Sequence, residues 1–195
     1  MTKMTVRDPA SRRRTHGRGV TPAPTLRGER VTLRPACPAD LDRLREILLE
    51  PSVARWWGGP RPDDPDFDVA ADWLDGDESD STFVIEADGA VVGSIQAAEE
   101  LEPDYRHAGI DLFLDTEHQG QGLGSDAIRT IARWLFEERG HHRLTIDPSA
   151  ANERAIRAYE HVGFRRVGVM RRYERGPDGT WHDGLLLDLL AGELR

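Results

Sequence analysis

The run Gln119-Gly120-Gln121-Gly122-Leu123-Gly124 places three glycines directly before an apolar-striped helix. A helix start has backbone N–H groups without partners and carries partial positive charge. Glycines let an anion approach those groups closely. The run therefore reads as a pyrophosphate cradle, or more plainly as a glycine-rich turn. It does not fit a dinucleotide fingerprint, which comes early in a βαβ repeat, whereas this loop follows several other elements. Three further residues could do chemistry. Asp111 is the lone acid in the strand Gly109–Leu114 and must be satisfied by a cation or a backbone group. Tyr159 falls on the apolar face of a helix, at the spacing Ala155, Ile156, Tyr159, Val162. Asp147 ends a strand before Pro148, where a turn residue is common.

The elements that must position these residues follow from periodicity. Val31–Arg34 is a short strand. Cys37 then caps a helix that has Pro38 at its first position and Leu41, Leu44, Ile47 and Leu48 on one face, as far as Pro51. Trp56-Trp57-Gly58-Gly59-Pro60 breaks the helical pattern, and a second helix is expected from about Asp66 to Leu74. Residues 82–87 and 90–95 form a hairpin around Asp88-Gly89. Glu99, Glu100, Glu102 and Asp104 read as a solvated acidic loop before the Gly109–Leu114 strand. Ala127, Ile128, Ile131, Ala132, Leu135 and Phe136 trace one helix face, which Gly140 ends. Strand Arg143–Ile146, helix Asn152–Val162 and strands Phe164–Tyr173 and Trp181–Leu187 complete the order βααβββαβαββ, an α+β chain with a mixed sheet.

Charge and composition narrow the function classes. Residues 1–25 carry a net +5 and the remaining residues −14, within a total of −9. An acidic body is unsuited to nucleic acid and suited to a cationic ligand. The one lysine, Lys3, lies near the N-terminus, which excludes a Walker A lysine and a Schiff base in the domain. Cys37 is the one cysteine, and the histidines are scattered, so no metal is expected. No apolar run approaches the roughly 20 residues of a membrane span, and no signal-peptide core follows the basic N-terminus. Residues 1–28 read as a disordered basic leader, residues 29–195 as one domain, and the protein as cytoplasmic. Monomer and homodimer are both open.

Gln119-x-x-Gly122-x-Gly124, followed by Asp147-Pro148, Asn152, Arg154-Ala155-Ile156-Arg157-Ala158-Tyr159-Glu160 and Gly163-Phe164, resembles the GNAT superfamily of acetyl-CoA-dependent N-acetyltransferases over about residues 29–190. A narrower resemblance joins Trp56-Trp57-Gly58-Gly59, Gly109-Ile110-Asp111 and Thr145-Ile146-Asp147-Pro148-Ser149 to the aminoglycoside 6′-N-acetyltransferases. The chain departs from that group in its basic leader, the end of its C-terminal hairpin and the acidic loop before Asp111. The resemblance implies a mostly antiparallel sheet, splayed at its centre by a bulge in the Gly109–Leu114 strand and flanked by about four helices.

It also implies acetyl-CoA as donor, attacked directly by the amine of a small polycationic acceptor. Phe113, Leu114, Gln119, Gly120, Gln121, Gly122, Leu123, Gly124, Ser125, Asn152 and Ala155 would hold the donor. Asp111 is the candidate base, with an electrostatic anchor as its other reading. Tyr159 is the candidate acid for the thiolate, its plainer reading being a packed aromatic. Trp57 and Asp147 would join Asp111 around the acceptor, Asp147 as a second carboxylate or simply as a turn residue. Rival acceptors are a siderophore amine, another small polyamine and a protein N-terminus. A non-catalytic acyl-CoA sensor is the rival outside enzymes.

Overall fold

The computed structural model describes residues 23–57, 79–176 and 178–195. The expected helix at 66–74, and Gly58-Gly59-Pro60, lie outside the described residues. Eight strands form one sheet: β1 (Leu26–Arg27), β2 (Thr32–Pro35), β3 (Asp80–Ala87), β4 (Ala90–Glu100), β5 (His107–Leu114), β6 (Arg143–Ile146), β7 (Arg165–Arg175) and β8 (Trp181–Leu190). Their spatial order is β1-β2-β3-β4-β5-β6-β8-β7. The described helices are α1 (Leu41–Leu48), α2 (Pro51–Trp57), α3 (Leu123–Glu137) and α4 (Glu153–Val162).

Each pairing in the sheet is antiparallel except β5 with β6. That parallel pair meets only at Ala108–Leu144 and Gly109–Thr145. Beyond Gly109 the two strands part, which leaves one edge of β5 open. The expected bulge is absent from the β4–β5 register, which runs unbroken from Glu100–His107 to Gly93–Leu114. The sheet opens because β6 diverges, not because β5 gains a residue.

Alternation sends side chains to two cores. Ile110, Leu112 and Leu114 join the larger core with α3 and α4, including Ile128, Ile131, Leu135, Ile156 and Val162. Phe113 joins Leu44, Ile47, Val53 and Val84 on the opposite face, under α1 and α2. At the entrance to α1, Asp40 accepts the Cys37 N–H at 2.9 Å and takes both Arg34 Nη atoms at 2.7 and 2.8 Å. The Arg34 guanidinium holds the Asp40 carboxyl at about 2.

Several boundaries differ from the sequence reading. Leu26 and Arg27, assigned to the leader, pair with Leu33 and Thr32. Pro51 ends one helical run but also opens α2, where its missing N–H is harmless. The acidic loop begins later than expected. Glu99 and Glu100 belong to β4, and Glu99 is only 6% exposed. Its carboxylate accepts from His141 Nε2 at 2.6 Å and Arg139 Nη2 at 2.8 Å. Burial alone would raise the Glu99 carboxyl, but these two donors hold it below its usual range. The partners lie 40 and 42 residues away, so no local pattern marks Glu99 as internal.

A second long-range carboxylate fixes the start of α3. Buried Asp126 accepts the N–H groups of Glu29, Arg30 and Val31 at 3.1, 2.8 and 3.0 Å. The segment between β1 and β2 is thereby fastened to the first turn of α3.

Candidate active site

The glycine loop delivers the helix start that its composition promised. Gly122 caps α3 with φ +84°, and Gly120 has φ +76°. This left-handed backbone suits glycine, and a side chain at Gly120 would meet no atom within 4 Å, so the loop faces open space. The first i→i−4 bond of α3 runs from Asp126 N–H to the Gly122 carbonyl. The N–H groups of Leu123, Gly124 and Ser125 come before it and are placed to receive an anion. Gln121 braces the loop, donating to the Glu117 carbonyl at 2.6 Å and accepting from Arg30 Nη1 at 2.6 Å.

The open edge of β5 runs toward this loop. Asp115 N–H bonds to the Val92 carbonyl on β4. By alternation the backbone groups of Asp111 and Phe113 also face β4, while those of Ile110, Leu112 and Leu114 face the notch. Phe113 therefore has its backbone bonded across the sheet and its ring under α2, T-shaped against Trp57 at 5.2 Å and 69°. The family resemblance places oxyanion donors among the backbone N–H groups at the opened end of β5, and alternation narrows them to the groups on this edge. Gln119 crosses the end of the notch, with Nε2 donating to the Leu114 carbonyl at 2.7 Å and Oε1 accepting from Arg154 Nη2 at 2.6 Å. Asn152 caps α4, accepting the Ala155 N–H at 3.2 Å.

Asp111 is half-buried at the notch. Burial, then the nearby charge of Asp147, pushes its carboxyl well above the ordinary range. Glu174 adds to this, and the Leu112 N–H, donating at 3.2 Å, opposes it. Tyr159 projects from α4 beside Phe164, with ring centres 6.3 Å apart. Burial, then Asp111 and Asp147, pushes its phenol up, so it stays protonated. Among the described residues its hydroxyl has no hydrogen-bond partner.

Tyr173 and Glu174 were missed from sequence. Between Met170 and Glu174 the β7–β8 register slips, so three β7 residues stand opposite Asp183. Asp183 accepts the Arg172 N–H at 2.8 Å, and Arg172 takes φ +50°. The bulge turns Tyr173 inward onto Gly184, where an added Cβ would lie 2.8 Å from its ring. Tyr173 hydrogen-bonds Asp147. Burial first, then this bond, raises its phenol. Only the register slip reveals this arrangement, and register is not local.

A helix start with unpaired N–H groups, an open strand edge between two diverging half-sheets and a protonated phenol within electrostatic reach of Asp111 form an arrangement suited to acyl transfer from a pyrophosphate-bearing carrier. The family model "Acetyltransferase (GNAT) domain" matches residues 30–165, and the chain belongs to that family. It is similar to "Aminoglycoside N(6')-acetyltransferase type 1" of Klebsiella pneumoniae, 32% identical over 170 residues covering 80% of this chain and 82% of the relative. It also resembles "Spermidine N(1)-acetyltransferase" of Escherichia coli K12, 29% identical over 143 residues covering 72% and 75%. Among solved structures, AAC(6')-Ib in complex with paromomycin and acetyl-CoA superposes with a TM-score of 0.68, at 28% identity, covering 85% of this chain and 96% of that one. The protein is an N-acetyltransferase that uses acetyl-CoA as acetyl donor and an amine as acceptor. Among the described residues no group of three His, Cys, Asp or Glu side chains could hold a metal, and no described helix is long and apolar enough to cross a membrane.

Proposed function

We propose that the acceptor is the 6′-amine of an aminoglycoside. The observation that carries this reading is the convergence of Asp111, Asp147 and Glu174 beside the open edge of β5. A polycation neutralises such a cluster, and its burial makes the attraction stronger than at a surface. The first turn of α3 would hold the donor's pyrophosphate, and the open β5 edge between Ile110 and Leu114 its amide-bearing arm. Asn152 would border that arm from α4. The two diverging half-sheets then present the thioester with Asp111 on one side and Tyr159 on the other. Asp111 takes a proton from the acceptor ammonium and so frees a lone pair for attack. Edge N–H groups of β5 stabilise the tetrahedral oxygen. Tyr159 meets the departing thiolate. A phenol is a weaker acid than a thiol, so its help is a strong hydrogen bond with partial proton transfer.

Tyr159→Phe is expected to lower kcat by about tenfold to a hundredfold with little change in the acceptor KM, because the group acts after both substrates are bound. Steady-state kinetics check this, and an unchanged kcat would return Tyr159 to a packing role.

The acceptor is tested by release of free CoA thiol with kanamycin, spermidine, a peptide with a free N-terminus and a donor-only blank. Fast turnover is expected with aminoglycosides bearing a 6′-amine. Counterparts with a 6′-hydroxyl are expected to bind and turn over negligibly, since a hydroxyl needs a stronger base. Mass spectrometry and NMR should find one acetyl group, on the 6′ nitrogen. Acetylation of another ring amine, or faster turnover of spermidine, overturns the proposal.

A further inference from the structure

Gln96 stands beside Asp111 on the neighbouring strand. The two are register partners across β4 and β5. The alternation set by the Asp115–Val92 bond makes them a hydrogen-bonded pair, with Cα atoms about 5.5 Å apart and side chains on one face. Ile95 and Ala97 point into the core under α3 and α4, so Gln96 points the other way, with Asp111 and Phe113. It is 3% exposed, yet neither Nε2 nor Oε1 has a hydrogen-bond partner among the described residues. A buried carboxamide with both ends idle is costly, and such groups in native proteins have a reason.

We propose that Gln96 is a positioning residue for Asp111, with a carboxamide that follows the proton. Nε2 donates to the charged carboxylate before transfer, and Oε1 accepts from the carboxylic O–H after it. The proposal rests on Asp111 acting as the base. In that step an N–H bond of the acceptor ammonium breaks, its electron pair stays on nitrogen, and an O–H bond forms on Asp111. A side chain serving both states must offer a donor and an acceptor from one pivot, without charge. The other groups around Asp111 are committed elsewhere. Asp147 and Glu174 are anionic, and the Leu112 N–H can only donate. Tyr173 is engaged with Asp147, and Tyr159 sits in the core under α4 on the other face of the sheet, where it senses Asp111 only by charge. Gln96 is the neutral amide directly across the strand pair, out of reach of competing water.

The test is the pH dependence of kcat/KM for wild type, Gln96→Leu and Gln96→Glu, using acetyl-CoA with kanamycin, or with spermidine if that is the faster acceptor. Gln96→Leu is expected to move the acidic limb up by about half to one pH unit, because the charged carboxylate loses its donor. It should lower kcat about tenfold, within the usual range for assistance to proton transfer. Gln96→Glu should move the limb further up by adding a like charge. An acetyl-CoA thermal shift equal to wild type certifies the fold of each variant, and if Gln96→Leu lacks it, the Gln96→Glu profile decides alone. An unmoved limb overturns the role of Gln96, even if activity falls. If Asp111→Asn keeps the wild-type limb, the base reading itself has failed, and the two failures are told apart.

Discussion

Asp111→Asn is expected to lower kcat/KM by about a hundredfold or more, the usual contribution of a positioned general base. The carboxamide keeps the shape and loses the proton acceptor. The pH profile gives a second signature. Wild-type activity should fall as pH drops through the raised pKa of Asp111, since only the ionised form accepts a proton. The stability change runs the other way. A carboxyl whose pKa is raised by folding makes no difference below the unfolded value, where both states are protonated. Above the folded value it destabilises in full, because the fold then encloses a charge beside Asp147 and Glu174. Removing that charge should leave the variant at least as stable as wild type near neutral pH, by thermal denaturation. Lost activity with equal or greater stability marks a residue kept for chemistry. If only KM rises, Asp111 anchors the cation and does not take its proton.

Gly122→Asp is expected to abolish donor binding while the fold survives. Aspartate at a helix cap accepts from the first-turn N–H groups and often stabilises the helix. Here it would occupy the groups assigned to the pyrophosphate and repel its charge. The left-handed φ of +84° adds strain of about 1 kcal/mol or more, which a chain of this stability can absorb. At a hundredfold excess over Kd, acetyl-CoA should stabilise the wild type by about 2.7 kcal/mol, or about 5–11 °C in Tm. The variant should show no such rise. An equal rise in both proteins removes the donor from this loop.

The parts of the site legible in the sequence are those set by local periodicity. A period of 2 put Asp111 opposite Leu112 on its strand, a period of 3.6 put Tyr159 on the buried face of α4, and three glycines before a striped helix marked the N-terminus of α3. The parts that stayed hidden depend on register between distant segments. Glu99 looked like a surface acid because Arg139 and His141 lie far along the chain. Gln96 gains meaning only once the β4–β5 register sets it against Asp111. Tyr173 is turned inward by a slip that no composition announces. The opening between β5 and β6 followed the same rule. Its existence could be expected from the family pattern, but its cause lies in where β6 ends its pairing.

The Asp126 carboxylate also sets an order of assembly. Its three N–H partners lie 95 to 97 residues upstream. At a synthesis rate of about 5–20 residues per second, those amides wait about 5–20 s on the ribosome before their acceptor exists. The β3–β4 hairpin, closed by Asp88-Gly89, needs no such delay. During that interval β1 and β2 have nothing to hold them against α3. The last fastening of the N-terminal strands therefore coincides with completion of the helix start assigned to the donor, and a nascent chain stalled before residue 126 would have neither.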